Sequence, residues 1–345
     1  MSILDKVDYI QRFDSNGALD IALKIPSQLD AKLEFNLDFN KEDIENVVVC
    51  GMGGSALAAS ICQNWWQDSL DVPFEVIRGH NLPAYVGSHS LIICSSYSGN
   101  TEETISCFNQ AIKVNAKLVV VTSGGELGKL ASENKQTLIK MESGYQPRMA
   151  MFSGVRILAD IFAGLNIVKG AAAEIESAKN LLLTSVSDWH KEITTDKNLA
   201  KQIAEELMGK AIWVYASDQF SSASYKWKIS FNENAKTIAS YNVIPELNHN
   251  ELIGWTSHPV EKPFAVVELR SHLDSDKINK RFDEMNNLLS GRMPAAIEID
   301  LKGQNIIEQL LWASALGEFV SIYLGILHGV NPMEVDIIEK FKQRL

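Results

Sequence analysis

The sequence predicts an α/β protein made of two doubly wound parallel-sheet domains with helices at the C-terminal end. Three observations carry this. From residue 47 onward, short apolar runs alternate with helical patterns, as strands and covering helices do in a parallel sheet. The alternation gives way to a long helical stretch and restarts after Asn198. Two strands of the first half run straight into turns rich in glycine or hydroxyl residues that open helices.

In order, the first half reads VVVCG, SALAASICQNWW, FEVIRG, LIICSSYS, TEETISCFNQAIKV, KLVVVTS and a strand near TLIKME. The helical stretches Phe152 to Leu165 and Ala171 to Lys191 follow, and the expected division is residues 1–165, a helical connection over 166–197, and 198–345. The second half opens with an amphipathic helix to Met208. It continues with AIWVYASD, a helix to about Asn234, TIASY, FAVVELR, a helix from Ser275 to Leu289 and AAIEID. AIWVYASDQFSSASY stands where VVVCGMGGSALAAS stands, and VVELRSHLDSDKI where IICSSYSGNTEET stands, so the halves read as a diverged repeat. Two helices close the chain, Ile306 to Leu327 and Met333 to Arg344, parted by Gly329 and Pro332.

Composition narrows the partners. The 345 residues carry 43 acidic and 32 basic side chains, a formal charge of −11, which opposes non-specific attraction to nucleic acid or an anionic membrane. The start is mixed and acidic, without the basic flank and apolar run of a signal peptide, and no stretch of about 20 apolar residues is expected to span a membrane. A cytoplasmic protein is expected. Cys50, Cys62, Cys94 and Cys107 are widely spaced with no CxxC pair, so they read as buried reduced thiols.

In GMGGSA the glycines, among them Gly53 and Gly54, allow backbone N–H groups close to an anion. The helix that begins near Ser55 adds its unpaired amides and positive dipole end. The same residues satisfy GxGxxA, a dinucleotide signature, but Arg78 stands where that reading expects an acid. An arginine there would suit a 2′-phosphate. SYSGNTEET supplies Ser96, Ser98 and Thr101 around a turn allowed by Gly99, then Glu102 and Glu103 at a helix start. Three neutral donors suit a phosphate dianion; alternatively, Ser98 or Thr101 is a helix cap.

GMGGS and SYSGNTEET together resemble the paired phosphate loops of the sugar isomerase (SIS) domain, whose fold is flavodoxin-like. The tandem arrangement, with YQPRMA, NENAK and PELNHNELIGW, is similar to the bifunctional phosphoglucose/phosphomannose isomerases. The resemblance covers nearly the whole chain. It implies a hexose 6-phosphate substrate, interconversion of glucose 6-phosphate and mannose 6-phosphate with fructose 6-phosphate through a cis-enediol, no cofactor, and a homodimer with its active site at the subunit interface.

Such chemistry needs a group to move a proton between C1 and C2, one to open the ring and one to stabilise the enediolate. Glu233 is the candidate base: it falls near the C-terminal end of a helix, where the macrodipole disfavours an acid, and a solvated surface acid is the alternative. His249, in a loop after Pro245, matches the family's ring-opening residue, supplied in that family by the neighbouring subunit. His80, His89, His190, His258, His272 and His328 have no supporting segment and read as structural. Arg148 carries a fixed charge suited to enediolate oxygens, with a surface salt bridge as the alternative. Lys342 resembles the family's terminal lysine, with Lys340 as the other choice on a different helical face. No His, Asp and Glu cluster has metal-ligand spacing, so metal-free chemistry is expected. Two other classes stay open on the residues: a SIS-type module that binds a sugar phosphate without turnover, and an NADP-dependent oxidoreductase.

Overall fold

The structure, a computed structural model, describes residues 2–30, 35–257, 263–342 and 344; the side chains of Glu339 and Lys342 lie outside it, as does His258. The chain forms two compact units, Pro26–Lys179 and a second comprising Met1–Ile25 with Asn180–Leu345. The chain crosses between the units at Pro26 and again at Asn180. The crossing at Pro26 was not expected, because the first 25 residues join the later unit rather than the sheet that follows them. They do so through α1 (Val7–Phe13) and α2 (Ala18–Ala22), which bury Ile10, Ala18, Leu19 and Ala22. The fully buried Lys201 ammonium also donates to the carbonyl of Leu4 at 2.7 Å.

In the unit Pro26–Lys179, the elements run β1 (Asn46–Cys50), α3 (Gly53–Trp65), β2 (Phe74–Ile77), β3 (Ser90–Ser95), α4 (Glu102–Lys113), β4 (Lys117–Thr122), α5 (Gly125–Glu133), β5 (Thr137–Lys140) and α6 (Met151–Gly164). All pairings are parallel, in the order β2-β1-β3-β4-β5. The apolar runs lack polar alternation because both faces are covered. Val48, Cys50, Ile92, Cys94, Leu118 and Val120 pack with Cys107, Phe108 and Leu127 of α4 and α5. The opposite face is closed by α3 and α6, where Trp66 stacks on Trp65 and on Phe162, each at 4.7 Å. All four cysteines are buried. The strand order reverses between β1 and β3, so the chain leaves these neighbouring strands in opposite directions and opens a crevice at their carboxyl ends.

The chain passes between units within α7 (Ala171–Asp188), then forms α8 (Leu199–Leu207), β6 (Ala211–Ser217), α9 (Ser221–Glu233), β7 (Ala239–Ile244), α10 (Glu251–Gly254), β8 (Phe264–Arg270), α11 (Asp276–Leu288), β9 (Ile297–Asp300), α12 (Ile306–Leu327) and α13 (Asp336–Lys342). This sheet, parallel and ordered β7-β6-β8-β9, repeats the first without a counterpart of β5, as the diverged repeat predicts. Its core gathers Tyr215, Val266, Phe282, Met285 and Trp255.

One expectation is corrected here. Among the described residues α12 is long and apolar enough to cross a membrane, where the sequence reading expected no such stretch. It is instead a core helix. Every residue from Ile307 to Leu327 is buried, including Glu308, Gln309 and Glu318, and its polar groups are bonded within the protein.

Candidate active site

The crevice of the first unit is built from the turns that follow β1 and β3. After β1, Gly51 passes so close to β3 that a Cβ there would lie 2.8 Å from the Ser95 carbonyl oxygen. Gly53 then opens α3 with φ +51, and no side chain of the N-cap residue Met52 closes the helix start. α3 therefore starts without a side-chain cap, its Ser55 amide turned back onto the Met52 carbonyl at 3.1 Å, and the positive end of an uncapped helix is an arrangement that favours an anion. Gly54 is packed differently: a Cβ there would sit 2.4 Å from the Pro147 oxygen and 2.9 Å from the Arg148 Cα. The missing side chain brings the Arg148 segment against the glycine turn.

After β3, Ser96 and Thr101 join hydroxyl to hydroxyl at 2.8 Å across the turn, and the Ser96 Oγ accepts from the Gly99 amide at 3.2 Å. Thr101 is the N-cap residue of α4, yet its side chain makes no capping bond. The simple capping alternative for Thr101 therefore does not describe it. Ser98 is exposed, and its Oγ accepts from the Asn100 amide at 3.3 Å. The Ser55 Oγ accepts from the Tyr97 amide at 3.2 Å, tying the two turns together. Gly99, at φ +71, is locked against a third turn, and a Cβ on it would lie 1.8 Å from the Gly124 oxygen. Asn100 completes the lock by accepting from the Glu126 amide in the first turn of α5 at 3.0 Å.

Arg148 is 2% exposed, so the surface salt-bridge alternative does not hold. Its guanidinium donates to the Gln146 side chain at 3.5 Å, and the chain beyond it is held by Gln28, which donates to the Met149 carbonyl at 2.9 Å. Glycine turn, hydroxyl turn and Arg148 are thus assembled in one unit. A cavity of about 480 Å³ lies one strand over, beside Gly124, Gly125, Lys129 and Lys140, and no residue of the two turns lines it. Arg78, the residue on which a dinucleotide reading would rest, bonds the Ser60 hydroxyl on α3.

The second unit carries Glu233 and His249. Glu233 is the half-buried last residue of α9. The helix end is fixed by a buried network that the sequence did not reveal: Asn234 donates to Glu318 at 3.0 Å and to Ser321 at 2.9 Å, Ser230 donates to Glu318 at 3.2 Å, and Lys226 pairs with the same carboxylate. Lys236 binds the Glu233 carbonyl at 2.8 Å and the Asn331 carbonyl at 2.7 Å. His328 meets the Ala235 carbonyl at 3.2 Å, in keeping with a structural role. His249 is exposed at the end of a short turn, Glu246–His249. The turn is anchored by buried Leu247 and Trp255 and by Glu251, which accepts from Asn242 at 2.6 Å and from Tyr215. The side chain of Lys342 lies outside the described residues, so it and Lys340 are not separated.

Comparison with known proteins gives the family. The profile described as the bacterial phospho-glucose isomerase C-terminal SIS domain matches residues 196–345. A bifunctional phosphoglucose/phosphomannose isomerase of Caldicellulosiruptor bescii is 33% identical over 327 residues, covering 93% of this chain and 96% of that protein. The chain belongs to the bifunctional phosphoglucose/phosphomannose isomerase family. A member from Aquifex aeolicus is 30% identical, covering 90% of this chain and 96% of its own length. A glucose-6-phosphate isomerase-like protein of Thermus thermophilus shares the fold, with a TM-score of 0.68 at 17% identity and 99% of each chain covered. Family membership agrees with the two-sheet α/β architecture and with the resemblance read from the motifs.

Proposed function

We propose that this chain interconverts glucose 6-phosphate and mannose 6-phosphate with fructose 6-phosphate through a shared cis-enediol, without a metal or other cofactor. What supports the reading is the assembly at the β1/β3 reversal of an uncapped glycine turn, paired hydroxyls at Ser96 and Thr101, and buried Arg148. The substrate phosphate is taken by Gly53, Gly54, Ser55, Ser96, Ser98 and Thr101. Glu233 removes the C2 proton of the open-chain aldose phosphate and returns it to C1; the Arg148 guanidinium stabilises the enediolate between. His249 of the partner subunit opens the ring by exchanging protons with the ring and anomeric oxygens, assisted by Lys342 or Lys340. The exposure of His249 on an anchored turn suits delivery to a neighbouring subunit of a homodimer.

Coupled assays with each aldose phosphate, in the presence and absence of EDTA, test this. Turnover of both epimers, unchanged by EDTA, is expected. Binding of hexose phosphates with turnover of none would replace the enzyme by a sugar-phosphate-binding module.

A further inference from the structure

Tyr97 lies between Ser96 and Ser98 in the hydroxyl turn after β3, and its bonds leave that turn in three directions. Its amide donates to the Ser55 Oγ of the glycine turn at 3.2 Å, and its carbonyl accepts from the Ser123 Oγ of the turn after β4 at 2.6 Å. Its phenol donates to the Glu142 carbonyl at 2.9 Å and accepts from the Tyr145 amide at 2.8 Å. The side chain is 8% exposed, and burial raises its phenol above the ordinary value, which keeps the hydroxyl protonated and able to do both. The segment it holds, residues 142–145, leads directly into Gln146 and Arg148, and Arg148 is the group pressed against Gly54.

From this geometry we infer that Tyr97 is a positioning residue for the isomerisation, fixing the buried Arg148 guanidinium relative to the bound phosphate. The inference rests on the reading of Arg148 as the enediolate-stabilising charge. The backbone bonds of Tyr97 hold the phosphate turns and survive any side-chain change. The phenol bonds hold the Arg148 segment and do not. The side chain therefore separates grip from chemistry: without the hydroxyl, the phosphate is still bound while the charge is no longer held where the enediolate forms.

Tyr97→Phe keeps the buried ring and removes only the two phenol bonds. In the full chain, kcat for fructose 6-phosphate should fall about tenfold to a hundredfold, as expected for a misplaced catalytic group. KM and competition by inorganic phosphate should change less than about threefold, because the phosphate turns keep their bonds. Amide exchange at Tyr145 should accelerate, which reports loss of the clamp independently of activity. In the double variant with Arg148→Gln, Tyr97→Phe should cost almost nothing further, since both act through one group. Unchanged kcat, equal losses in kcat and phosphate affinity, or full additivity with Arg148→Gln would overturn the inference. Near-normal turnover in Arg148→Gln alone would instead overturn the role of Arg148, whatever Tyr97→Phe does.

Discussion

Gly54→Ala is a sharp perturbation because the structure gives the size of the clash. The added Cβ would lie 2.4 Å from the Pro147 oxygen and 2.9 Å from the Arg148 Cα, where ordinary contact begins at 3.4 Å. The shortfall at Pro147 is 3.4 − 2.4, about 1 Å, and both atoms are backbone, so no side chain can rotate away. Either α3 or the Arg148 segment must retreat. Overpacking of this kind costs about 1–3 kcal/mol of stability. A displacement of about 1 Å in an oriented catalytic group costs about a hundredfold in rate. Steady-state kinetics, with urea denaturation on the same preparations, should show a hundredfold loss of kcat in a chain that is still folded. Gly87→Ala, where an added Cβ meets nothing within 4 Å, should leave both quantities near wild type. A Gly54→Ala protein with normal turnover, or one whose activity falls only as far as its folded fraction, would refute the claim that Gly54 sets the approach of Arg148.

Two further outcomes follow from the second unit. Burial pushes the Glu268 carboxyl up from 4.5 to about 7, so the folded chain holds a proton that the unfolded chain has released. Stability contributed there is greatest below about pH 4.5, falls as pH rises to about 7 and is then flat; a shift of 7 − 4.5 = 2.5 units amounts to about 3 kcal/mol. Glu268→Gln should remove this component, and urea midpoints at pH 5 and pH 8 that differ equally in both proteins would contradict it. On the proposal of a homodimer that shares His249 across its interface, mixing Glu233→Gln and His249→Ala subunits, each expected to be inactive alone, should restore about a quarter of wild-type activity after exchange, since half the dimers would be mixed and each would have one intact site. No recovery after verified exchange would place His249 in the same subunit as its substrate.

Much of the fold was legible because its determinants are local. The strands β1, β3 and β4 are largely apolar runs, and α12 is capped at its start by Asn305, whose side chain accepts from the Glu308 amide at 3.0 Å. By contrast α5 was missed: it is short, opens on two glycines and buries only Leu127, Gly128 and Ala131. The attachment of residues 1–25 to the later unit depends on the buried Lys201 and other contacts almost 200 residues away, which no local pattern encodes.

The site divides along the same line. Glycines and hydroxyls in two turns advertise an anion because the backbone conformation and donors are written in consecutive residues. Arg148 was recognised by its segment, but its burial against Gly54 was not readable. Tyr97 lay inside a recognised motif and was passed over because its phenol acts on residues 142–145, more than 40 positions on. Lys226 and Glu318, 92 residues apart, form the buried pair beside the end of α9. The one clue in the sequence was Glu318, a charge set among apolar residues well inside a long and mostly apolar helix.

The central claim is that Glu233 moves the proton between C1 and C2 of a hexose 6-phosphate. Turnover of glucose 6-phosphate and mannose 6-phosphate by Glu233→Gln, measured beside competition by inorganic phosphate, tests it most directly. The account predicts that turnover of both epimers falls by at least about a hundredfold while phosphate competition is preserved, as for loss of a general base. Near-normal turnover of either epimer in that variant would contradict it.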